Sequence, residues 1–577
     1  MLNPTQPSRR EFLRGAGMTV AGAAIQATGT SLAPSPSTPT EVAQMRKIRG
    51  LMVDAARVPE RLDYYRRVID FCARWRLNTL QFRLADDQGS ALRFASVPGL
   101  ITHKNAFTPE QLRDLAEYGQ RQDVDLIPEI ESFGHTGYIT RAPTFSHLLD
   151  RDPKGSSTFS GVSPLEPAVL DLMKRLYEEV ASIFPSKYLH AGCDEVNWGG
   201  SEHSRQVLQR RSRAEIWADY LNALNGITVD LGTELIVWGD FVAHKEPQIL
   251  GLLDKRIIIM DWDYDGTAGA PLKDTLSKVA AHGARAIGAP ALSCYRWGPR
   301  IGTEQLRNVD AVADAYLARA ETASLGVVVT NWVPSRYIQN SIWDCLAYAS
   351  VALNEGTAAA RRLGLQRFVE KHYQAPWSEE WKEVFDGLYC AAPYRDEEDK
   401  GHGLKLLVPW ASDAQLAQVI LTGTPATNPF NGILRLLILL EPKVRANLAD
   451  YHAFVLCIQY LEKLFWRDRT VAKLARQRPL DDSKARSLIQ AIAARDKALA
   501  DALLGDWEMG RFADSEAASR PVFDLQASDQ LFFGWKQASK YSAFLAKNPD
   551  RFCALLKGAN PPRLIPGSVP SVEKMSI

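Results

Sequence analysis

Two adjacent carboxylates, Asp194 and Glu195, end an apolar run that begins at Tyr188 and includes His190 and Gly192. Like charges on neighbouring residues repel, so in a partly buried site one carboxyl is expected to hold a proton near neutral pH while the other stays ionised. One acid beside one anion suits acid catalysis. An Asp-Glu pair is also a common surface dipeptide, and taken alone it specifies no reaction.

Apolar runs that end in polar residues recur along the chain and place this pair in a larger pattern. Together with the run at Tyr188 there are eight, and the other seven cover residues 48–54, 80–88, 126–135, 234–240, 256–264, 286–295 and 325–332. Amphipathic stretches with helical spacing of apolar residues separate them, for example residues 61–74 and 109–121. Eight strand-plus-helix units over about 310 residues predict an α/β fold, a (β/α)8 TIM barrel with catalytic residues at the C-terminal strand ends. The Asp, Glu, His, Trp and Tyr residues at these strand ends favour a carbohydrate site.

The order and content of the strand-end motifs resemble the family 20 glycoside hydrolases, the exo-acting β-N-acetylhexosaminidases. The motifs are Arg49-Gly50 with Asp54, Asp86-Asp87-Gln88, Pro128-Glu129-Ile130 with Gly134-His135, and His190-x-Gly192-x-Asp194-Glu195. Three further segments are nearer to the hexosaminidase D branch of that family, namely Phe133-Gly134-His135, Gly192 to Val196, and Trp262-Asp263-Tyr264. The resemblance covers about residues 46 to 355, and several motifs in order are more specific than any one alone.

The resemblance implies a retaining mechanism without an enzymic nucleophile, in which the 2-acetamido oxygen of the substrate attacks the anomeric carbon. Glu195 would be the general acid and then the base that activates water against the oxazolinium intermediate. Asp194 would remain ionised, accept the acetamido N–H and balance the positive charge that develops. No cofactor is implied.

Polar supporting roles are carried over from the family position by position. Arg49, taken as the end of the first strand, would bind sugar hydroxyls, with a barrel-bottom or surface arginine as the alternative. His135 would be hydrogen-bonded within the network of the acid, with Glu131 in place of the more usual aspartate, and a purely structural histidine is the alternative. His190 is a further candidate for substrate binding.

Aromatic residues at the strand ends could enclose the sugar and its acetamido methyl group. Trp238, Trp262 and Trp332 fall at the ends of the fifth, sixth and eighth strands, and a place in the core is the alternative for each. Tyr264 is the first choice for the hydroxyl that holds the acetamido oxygen. Tyr295 competes for that role, because the usual family tyrosine follows the seventh strand.

One departure from the family concerns the last strand. Many members have Trp-x-Glu there, and the glutamate binds distal sugar hydroxyls, whereas this chain has Trp332-Val333-Pro334. Asp240, Asp263 and Arg296 are candidate replacements, with a salt-bridged rim residue as the alternative for each. The choice between N-acetylgalactosamine and N-acetylglucosamine is therefore open, although the hexosaminidase D branch favours the galacto epimer.

Composition limits the partners. The 577 residues are 46% hydrophobic, which is enough for more than one core. With 68 basic and 67 acidic residues the net charge is +1, so no global field attracts nucleic acid or an anionic membrane. The expected partner is a glycan or glycoconjugate with a terminal β-linked N-acetylhexosamine.

The N-terminus resembles a bacterial twin-arginine export signal. Ser8-Arg9-Arg10-Glu11-Phe12-Leu13 precedes a mildly apolar stretch rich in Gly and Ala. That stretch is too weakly apolar for a stable membrane span. We expect a signal peptide over residues 1–33, a linker over 34–45, and a periplasmic or secreted protein.

The chain changes character after the last predicted strand. Residues 433–464 and 483–504 have helical apolar spacing with few strand signals. We expect the catalytic barrel over residues 46–360 and a mainly α-helical domain over 361–577. That second domain could pack on the barrel, shape the aglycone subsite or form a homodimer.

Metal and cysteine chemistry are not expected. Seven cysteines are scattered without paired spacing, so neither a metal motif nor a disulfide framework is predicted. Cys193 lies beside the acid, where an inert packing role is favoured over nucleophilic catalysis.

Three function classes remain from the sequence. The first is an exo-β-N-acetylhexosaminidase, and the second is a catalytically silent sugar-binding protein on the same scaffold. The third is a metal-dependent barrel hydrolase using His135, His190 and acidic residues, which is disfavoured because no His-x-His ends the first strand. Metal chelation separates the third class from the others.

Overall fold

The computed structural model describes residues 47–151, 161–264, 269–293, 303–318, 323–389, 409–422, 430–513 and 531–558. The predicted signal peptide and linker, together with Tyr295 and Arg296, lie outside these residues.

Eight parallel strands close into a barrel. In chain order they are β1 Ile48–Asp54, β2 Thr79–Asp86, β3 Asp125–Ile130, β4 Tyr188–His190, β5 Glu234–Trp238, β6 Ile258–Trp262, β7 Arg285–Ala289 and β8 Ser324–Asn331. Strand β1 pairs in parallel with both β2 and β8, which closes the ring. The predicted (β/α)8 barrel is confirmed, and each predicted strand run overlaps one of these strands.

Helices surround the barrel and connect its strands. They are α1 Leu62–Arg74, α2 Pro109–Arg121, α3 Pro167–Ile183, α4 Arg213–Asp230, α5 Gly269–His282, α6 Thr303–Tyr316 and α7 Trp343–Glu355. Helix α1 buries Tyr65, Val68, Ile69 and Cys72 on one face, as the spacing of its apolar residues predicts. Helix α2 begins at a capping box built on Thr108.

Shorter elements decorate the barrel. The short strands are Gly89–Leu92, Thr102–Phe107, Leu149–Asp150, Gly161–Val162 and Ala291–Ser293. The short α-helices are Gly137–Thr140 and Glu202–Leu208. After β5 the chain forms a π-helical turn, Asp240–Lys245, and a 3-10 segment, Pro247–Leu252. Between the other consecutive barrel strands the connection contains a longer α-helix. The π-helical turn brings Asp240 and Lys245 close to the site described below.

Beyond α7 the described residues are helical. The main helices are α8 Leu365–His372, α9 Glu379–Tyr389, α10 Asp413–Thr422, α11 Phe430–Leu440, α12 Leu448–Ala475, α13 Asp482–Gly510, α14 Leu531–Lys547 and α15 Pro549–Lys557. The expected helical C-terminal region is therefore confirmed, whereas its boundary at residue 360 stays a prediction. Among the described residues, no helix combines the length and the apolar character that a membrane crossing needs.

Candidate active site

Side chains from the ends of three neighbouring strands meet around one imidazole. His135 follows β3, and its Nδ1 lies 3.0 Å from Oδ2 of Asp87, which follows β2. Its Nε2 lies 3.2 Å from Oε2 of Glu195 and 3.7 Å from Oδ2 of Asp194, both of which follow β4. The structure therefore brings together His135, Asp194 and Glu195 at the C-terminal end of the barrel.

The loops after β3 and β4 touch through glycines. A Cβ on Gly134 would lie 2.0 Å from the carbonyl oxygen of Asp194, and a Cβ on Gly192 would lie 1.9 Å from Oε2 of Glu131. Gly192 also has a φ of 65°, and the non-glycine residue Glu195 has a φ of 47°. Backbone strain of this kind clusters at functional sites. These backbone conformations direct the side chains of Asp194 and Glu195 toward the same histidine, although adjacent residues of a regular strand point to opposite faces.

The proton of this cluster resides on His135. Burial alone would lower the pKa of His135, but Asp194, Asp87 and Glu195 together raise it well above its usual range. Burial raises the pKa of Glu195, yet the hydrogen bond and charge of His135, together with the charges of Lys245 and Arg57, leave that pKa lowered. The sequence expectation placed the proton on one of the two adjacent carboxyls. It was wrong for Glu195, because an imidazolium lies between the carboxylates in this site.

A second layer of charge lies beneath the pair inside the barrel. Arg83 is fully buried, and its Nη2 donates to Oε1 of Glu131 at 2.7 Å while its Nη1 donates to Oδ2 of Asp86 at 2.8 Å. Burial and the neighbouring Asp194 raise the pKa of Glu131 well above its usual range, against the effect of Arg83. Burial raises the pKa of Glu129 to about 7. The negative charge at the base of the site is thus offset by Arg83 and by proton uptake.

Sequence reasoning missed this layer, although a signal existed. Gln81 and Arg83 on β2 occupy alternate positions, as do Glu129 and Glu131 at the end of β3. Alternate residues of a strand face the same side, so these four point into the barrel together. Gln81 Nε2 donates to Oε2 of Glu129 at 2.7 Å, which shows the contact.

The two carboxylates differ in what they offer a ligand. Oδ1 of Asp194 is buried and accepts no hydrogen bond from any residue that the structure describes. The side chain of Glu195 is 37% exposed. A buried acceptor without a donor costs free energy, so Asp194 is suited to receive an N–H from outside the protein. Glu195 is suited to exchange a proton with a group in the pocket.

Asp240 is hydrogen-bonded to the backbone of Glu195. Its Oδ2 accepts the backbone N–H of Glu195 at 3.2 Å and a hydrogen bond from Nζ of Lys245 at 2.9 Å. Burial, followed by the charge of Asp194, raises the pKa of Asp240 to about 6. This placement makes Asp240 a holder of the Glu195 backbone, a role that differs from the expected contact with sugar hydroxyls.

Three of the four described aromatic candidates form a group. Nε1 of Trp332 donates to the hydroxyl of Tyr264 at 2.8 Å, and the ring centroids of Tyr264 and Trp262 are 5.0 Å apart. Trp238 is only 1% exposed, donates to Oε1 of Glu129 at 2.9 Å, and lies with its ring centroid 5.6 Å from that of Trp332. Trp238 thus packs against Trp332 with little exposed ring surface, and its contact with the sugar stays a prediction.

Two polar candidates lie elsewhere than expected. Arg49 sits near the N-terminal end of β1, where its Nε donates to the carbonyl of Leu353 at 3.0 Å, so it is at the opposite end of the barrel from the site. His190 is fully buried, and its Nδ1 accepts the N–H of Gly192 at 3.0 Å. Burial and then Arg83 lower the pKa of His190 well below its usual range. His190 therefore holds the turn before Asp194 as a neutral ring, which corrects its expected substrate contact.

Arg57 is the arginine that the structure places near the acid. Its Nη1 donates to Oδ2 of Asp54 at 3.0 Å, and its guanidinium carbon lies 5.4 Å from the ring centroid of Trp332. The charge of Arg57 also contributes to the lowered pKa of Glu195, after burial, His135 and Lys245. The sequence could have indicated this role for Arg57, because the residue follows Asp54 by three positions and so lies beyond the C-terminal end of β1.

Metal binding and thiol chemistry are the two other reactions that residues of this site could support. One ligand atom from each of His135, Asp194 and Glu195 lies within 4.8 Å of the others, a spacing that a cation could use. The carboxylates around His135 raise its pKa well above its usual range, so a cation would have to displace a proton to bind Nε2. Burial raises the pKa of the Cys193 thiol well above its usual range, which agrees with an inert packing role.

Comparisons with known proteins match the barrel part of this chain to one family of enzymes. Residues 47–318 match the family described as glycosyl hydrolase family 20, catalytic domain. A beta-hexosaminidase of Vibrio furnissii is 29% identical over 250 residues, covering 37% of this chain and 40% of the relative. A beta-hexosaminidase of Akkermansia muciniphila is 30% identical over 185 residues, covering 29% of this chain and 38% of the relative. The chain thus spans about two fifths of the length of these relatives.

Solved structures give a more distant likeness. The chitobiase of Flavobacterium johnsoniae is 16% identical, with 86% of this chain and 78% of that chain covered and a TM-score of 0.45. This structural likeness is too weak to support a function, so the family assignment rests on the sequence matches. The matched residues run from β1 to α6 and contain His135, Asp194 and Glu195. Residues 47–318 of this chain, from β1 to α6, are therefore assigned to the catalytic domain of glycosyl hydrolase family 20.

Proposed function

We propose that this chain is an exo-acting β-N-acetylhexosaminidase that removes terminal β-linked N-acetylgalactosamine or N-acetylglucosamine with retention of configuration. The observation that carries the proposal is the arrangement around His135. One imidazolium contacts both Asp194 and Glu195, and Oδ1 of Asp194 is a buried acceptor without a donor among the described residues. An acetamido N–H is a donor that would complete this acceptor. The relatives named above are beta-hexosaminidases, which supports the same substrate class.

The proton needed for leaving-group departure starts on His135 in this proposal. A bound sugar covers the exposed part of the Glu195 carboxylate, and loss of water raises the pKa of a carboxyl group. The proton then passes from Nε2 of His135 to Oε2 of Glu195, a distance of 3.2 Å between heavy atoms. Glu195 gives it to the glycosidic oxygen while the acetamido oxygen attacks the anomeric carbon. The resulting carboxylate of Glu195 removes a proton from the water that opens the oxazolinium ring.

The sugar contacts follow from the group around Trp332. Trp332 and Trp262 supply apolar faces, and the Tyr264 hydroxyl is the proposed donor to the acetamido oxygen. Arg57, over the face of Trp332, is the proposed ligand of sugar hydroxyls in place of Arg49. A guanidinium can bind two hydroxyl oxygens at once through its planar fork. The preference between the two epimers stays a prediction. Formation of a homodimer also stays a prediction, which light scattering on the purified chain would test by measuring its molar mass.

The first test of this function compares three aryl glycosides with the purified chain. We expect cleavage of the β-N-acetylgalactosaminide and the β-N-acetylglucosaminide but not of the plain β-galactoside, with the same rates in the presence of a chelator. The reason is that the last substrate lacks the acetamido nucleophile. Loss of cleavage with the chelator would favour a metal-dependent hydrolase. Binding of N-acetylhexosamine without any cleavage would favour the silent sugar-binding protein.

We also propose that residues 1–33 direct export through the twin-arginine route. The support is the sequence Ser8 to Leu13 followed by the stretch rich in Gly and Ala. Changing Arg9 and Arg10 together to lysine should retain the protein in the cytoplasm of a bacterial host that exports the unchanged chain, because the receptor reads the arginine pair. Fractionation followed by immunoblotting measures this. Equal export of both forms would contradict the proposal.

A further inference from the structure

The end of helix α13 meets the barrel at the two loops that follow β1 and β8. Arg511 comes directly after this helix and is only 3% exposed. Its Nε donates to both carboxylate oxygens of Glu60, at 2.9 and 3.0 Å. Its Nη1 donates to the carbonyl of Tyr337 at 3.2 Å, and its Nη2 donates to the carbonyl of Pro334 at 2.7 Å. One guanidinium from the helical region thus joins the two barrel loops.

The same two loops carry side chains of the proposed sugar site. Arg57 lies three residues before Glu60, and Trp332 lies two residues before Pro334. On the pocket side the loops are joined again, because Oδ2 of Asp54 accepts the N–H of Val333 at 3.0 Å and a hydrogen bond from Arg57 at 3.0 Å. Arg511 and Asp54 therefore hold one pair of loops from opposite sides.

The contact is tightly packed. A Cβ on Gly510 would lie 2.4 Å from Oε1 of Gln339, and Nε2 of Gln339 donates to Oε2 of Glu60 at 2.8 Å. The guanidinium carbon of Arg511 lies 4.5 Å from the ring centroid of Trp507, which fixes its plane. A water molecule could not supply this set of directed donors.

The loop after β8 needs external support. Val333 has a φ of 54°, a conformation that is strained for a β-branched residue and persists only where its surroundings determine it. Glu60 is 1% exposed, so loss of Arg511 would leave a buried carboxylate without its main partner. Burial already raises the pKa of Glu60, so without Arg511 this group would take up a proton or its loop would move toward water. Either change weakens the link between the loops that carry Arg57 and Trp332.

We propose that Arg511 is a positioning residue of the sugar site, through which the C-terminal helical region holds Arg57 and Trp332 in their places. This rests on the proposed function, because it concerns the same pocket. The effect is expected on sugar binding more than on the chemical step, since neither loop carries Asp194 or Glu195. The helical region would therefore complete the sugar site as well as cover the barrel.

A double-mutant cycle between Arg511 and Trp332 tests the proposal. The Kd for free N-acetylgalactosamine and N-acetylglucosamine is measured by calorimetry, together with KM and kcat for the aryl glycoside. Arg511→Met should raise Kd and KM by about tenfold, as for a well-packed anchor, and change kcat less. Arg511→Lys, which keeps the charge but not the fork, should be intermediate. In the Trp332→Ala background, Arg511→Met should add less than about threefold, because contacts that act through each other are not additive.

Arg61→Ala is the matched control. Arg61 is exposed and also binds the end of α13, since its guanidinium donates to the carbonyls of Glu508 and Met509 at 3.0 and 3.3 Å. Unchanged Kd and KM in this variant are expected. If Arg511→Met does not fold, Glu60→Gln and Arg511→Lys enter the same cycle with Trp332→Ala.

The outcomes separate this inference from the proposed function. Fully multiplicative effects of the Arg511 and Trp332 changes, in an enzyme that hydrolyses the aryl substrate, would overturn the positioning role alone. An equal rise of Kd in Arg61→Ala would do the same, because it would point to general weakening of the interface. A wild-type chain that binds neither monosaccharide would overturn both the function and the inference.

Discussion

Glu195→Gln should lower kcat for aryl β-N-acetylhexosaminides by about 10²- to 10⁴-fold, the range expected for loss of a general acid and base. Glutamine keeps the volume of the side chain and its hydrogen bond to His135 but carries no transferable proton. The Kd for the free monosaccharide should change little, because Glu195 faces the glycosidic oxygen and the sugar contacts are assigned elsewhere. Steady-state kinetics and calorimetry measure the two effects separately.

The dependence on the leaving group strengthens this test. A poor leaving group, such as a sugar or an alkyl alcohol, needs protonation more than a nitrophenol does. The loss in Glu195→Gln should therefore be larger for the poor leaving group. Glu202→Gln is the matched control, since Glu202 has an exposed side chain in the short helix after the same strand. Retained activity in Glu195→Gln would remove Glu195 as the acid.

His135→Gln tests where the proton is stored. In the unchanged site the proton is lost only as the pH rises through the pKa of His135, which lies well above its usual value. In the variant the proton must reside on Glu195, whose pKa loses the lowering effect of His135 but remains that of a carboxyl group. The basic limb of the pH profile of kcat/KM should therefore move to lower pH. An unmoved basic limb would contradict storage of the proton on His135.

The fold was predictable because strand-end motifs and helical spacing agree along the first two thirds of the chain. Asp194, Glu195 and His135 were predictable for the same reason, since parallel strands bring their C-terminal ends to one side of the barrel. The interior charge layer was harder to predict. Arg83 lies within an apolar run, and its role depends on contacts with three residues on two other segments, Asp54, Glu129 and Glu131.

The errors have different origins. Arg49 and Arg57 bracket β1, whose observed range is the predicted one, so the rule that barrel sites lie at C-terminal strand ends already favoured Arg57. Trp238 ends β5 as expected, but whether its ring faces sugar or core depends on the packing of Trp332 above it. The role of Arg511 depends on how the helical region docks, and no local pattern contains that information.

Asp194→Asn should lower kcat for 2-acetamido substrates by about 10²- to 10³-fold, similar to the loss of one preorganised electrostatic contact in a transition state. Asparagine keeps the shape and can still accept the acetamido N–H through its amide oxygen. It cannot balance the positive charge that develops on the acetamido group as its oxygen attacks. The effect should therefore appear in kcat more than in KM, since this contact grows in the transition state.

A series of substrates with zero to three fluorines on the N-acyl group isolates that contact. Fluorine withdraws electrons from the carbonyl oxygen, so the wild-type kcat should fall with each added fluorine if this oxygen is the nucleophile. Asp194→Asn should retain that dependence from a lower starting rate, because the nucleophile is unchanged and only its charge balance is lost. A wild-type kcat indifferent to fluorine would contradict attack by the substrate. Glu202→Gln is the control for a general change of charge, because it also removes one negative charge and its side chain is exposed in the short helix after the same strand. A loss in Glu202→Gln as large as in Asp194→Asn, with the same slope against fluorine, would show that net charge matters and that the position of the Asp194 carboxylate does not.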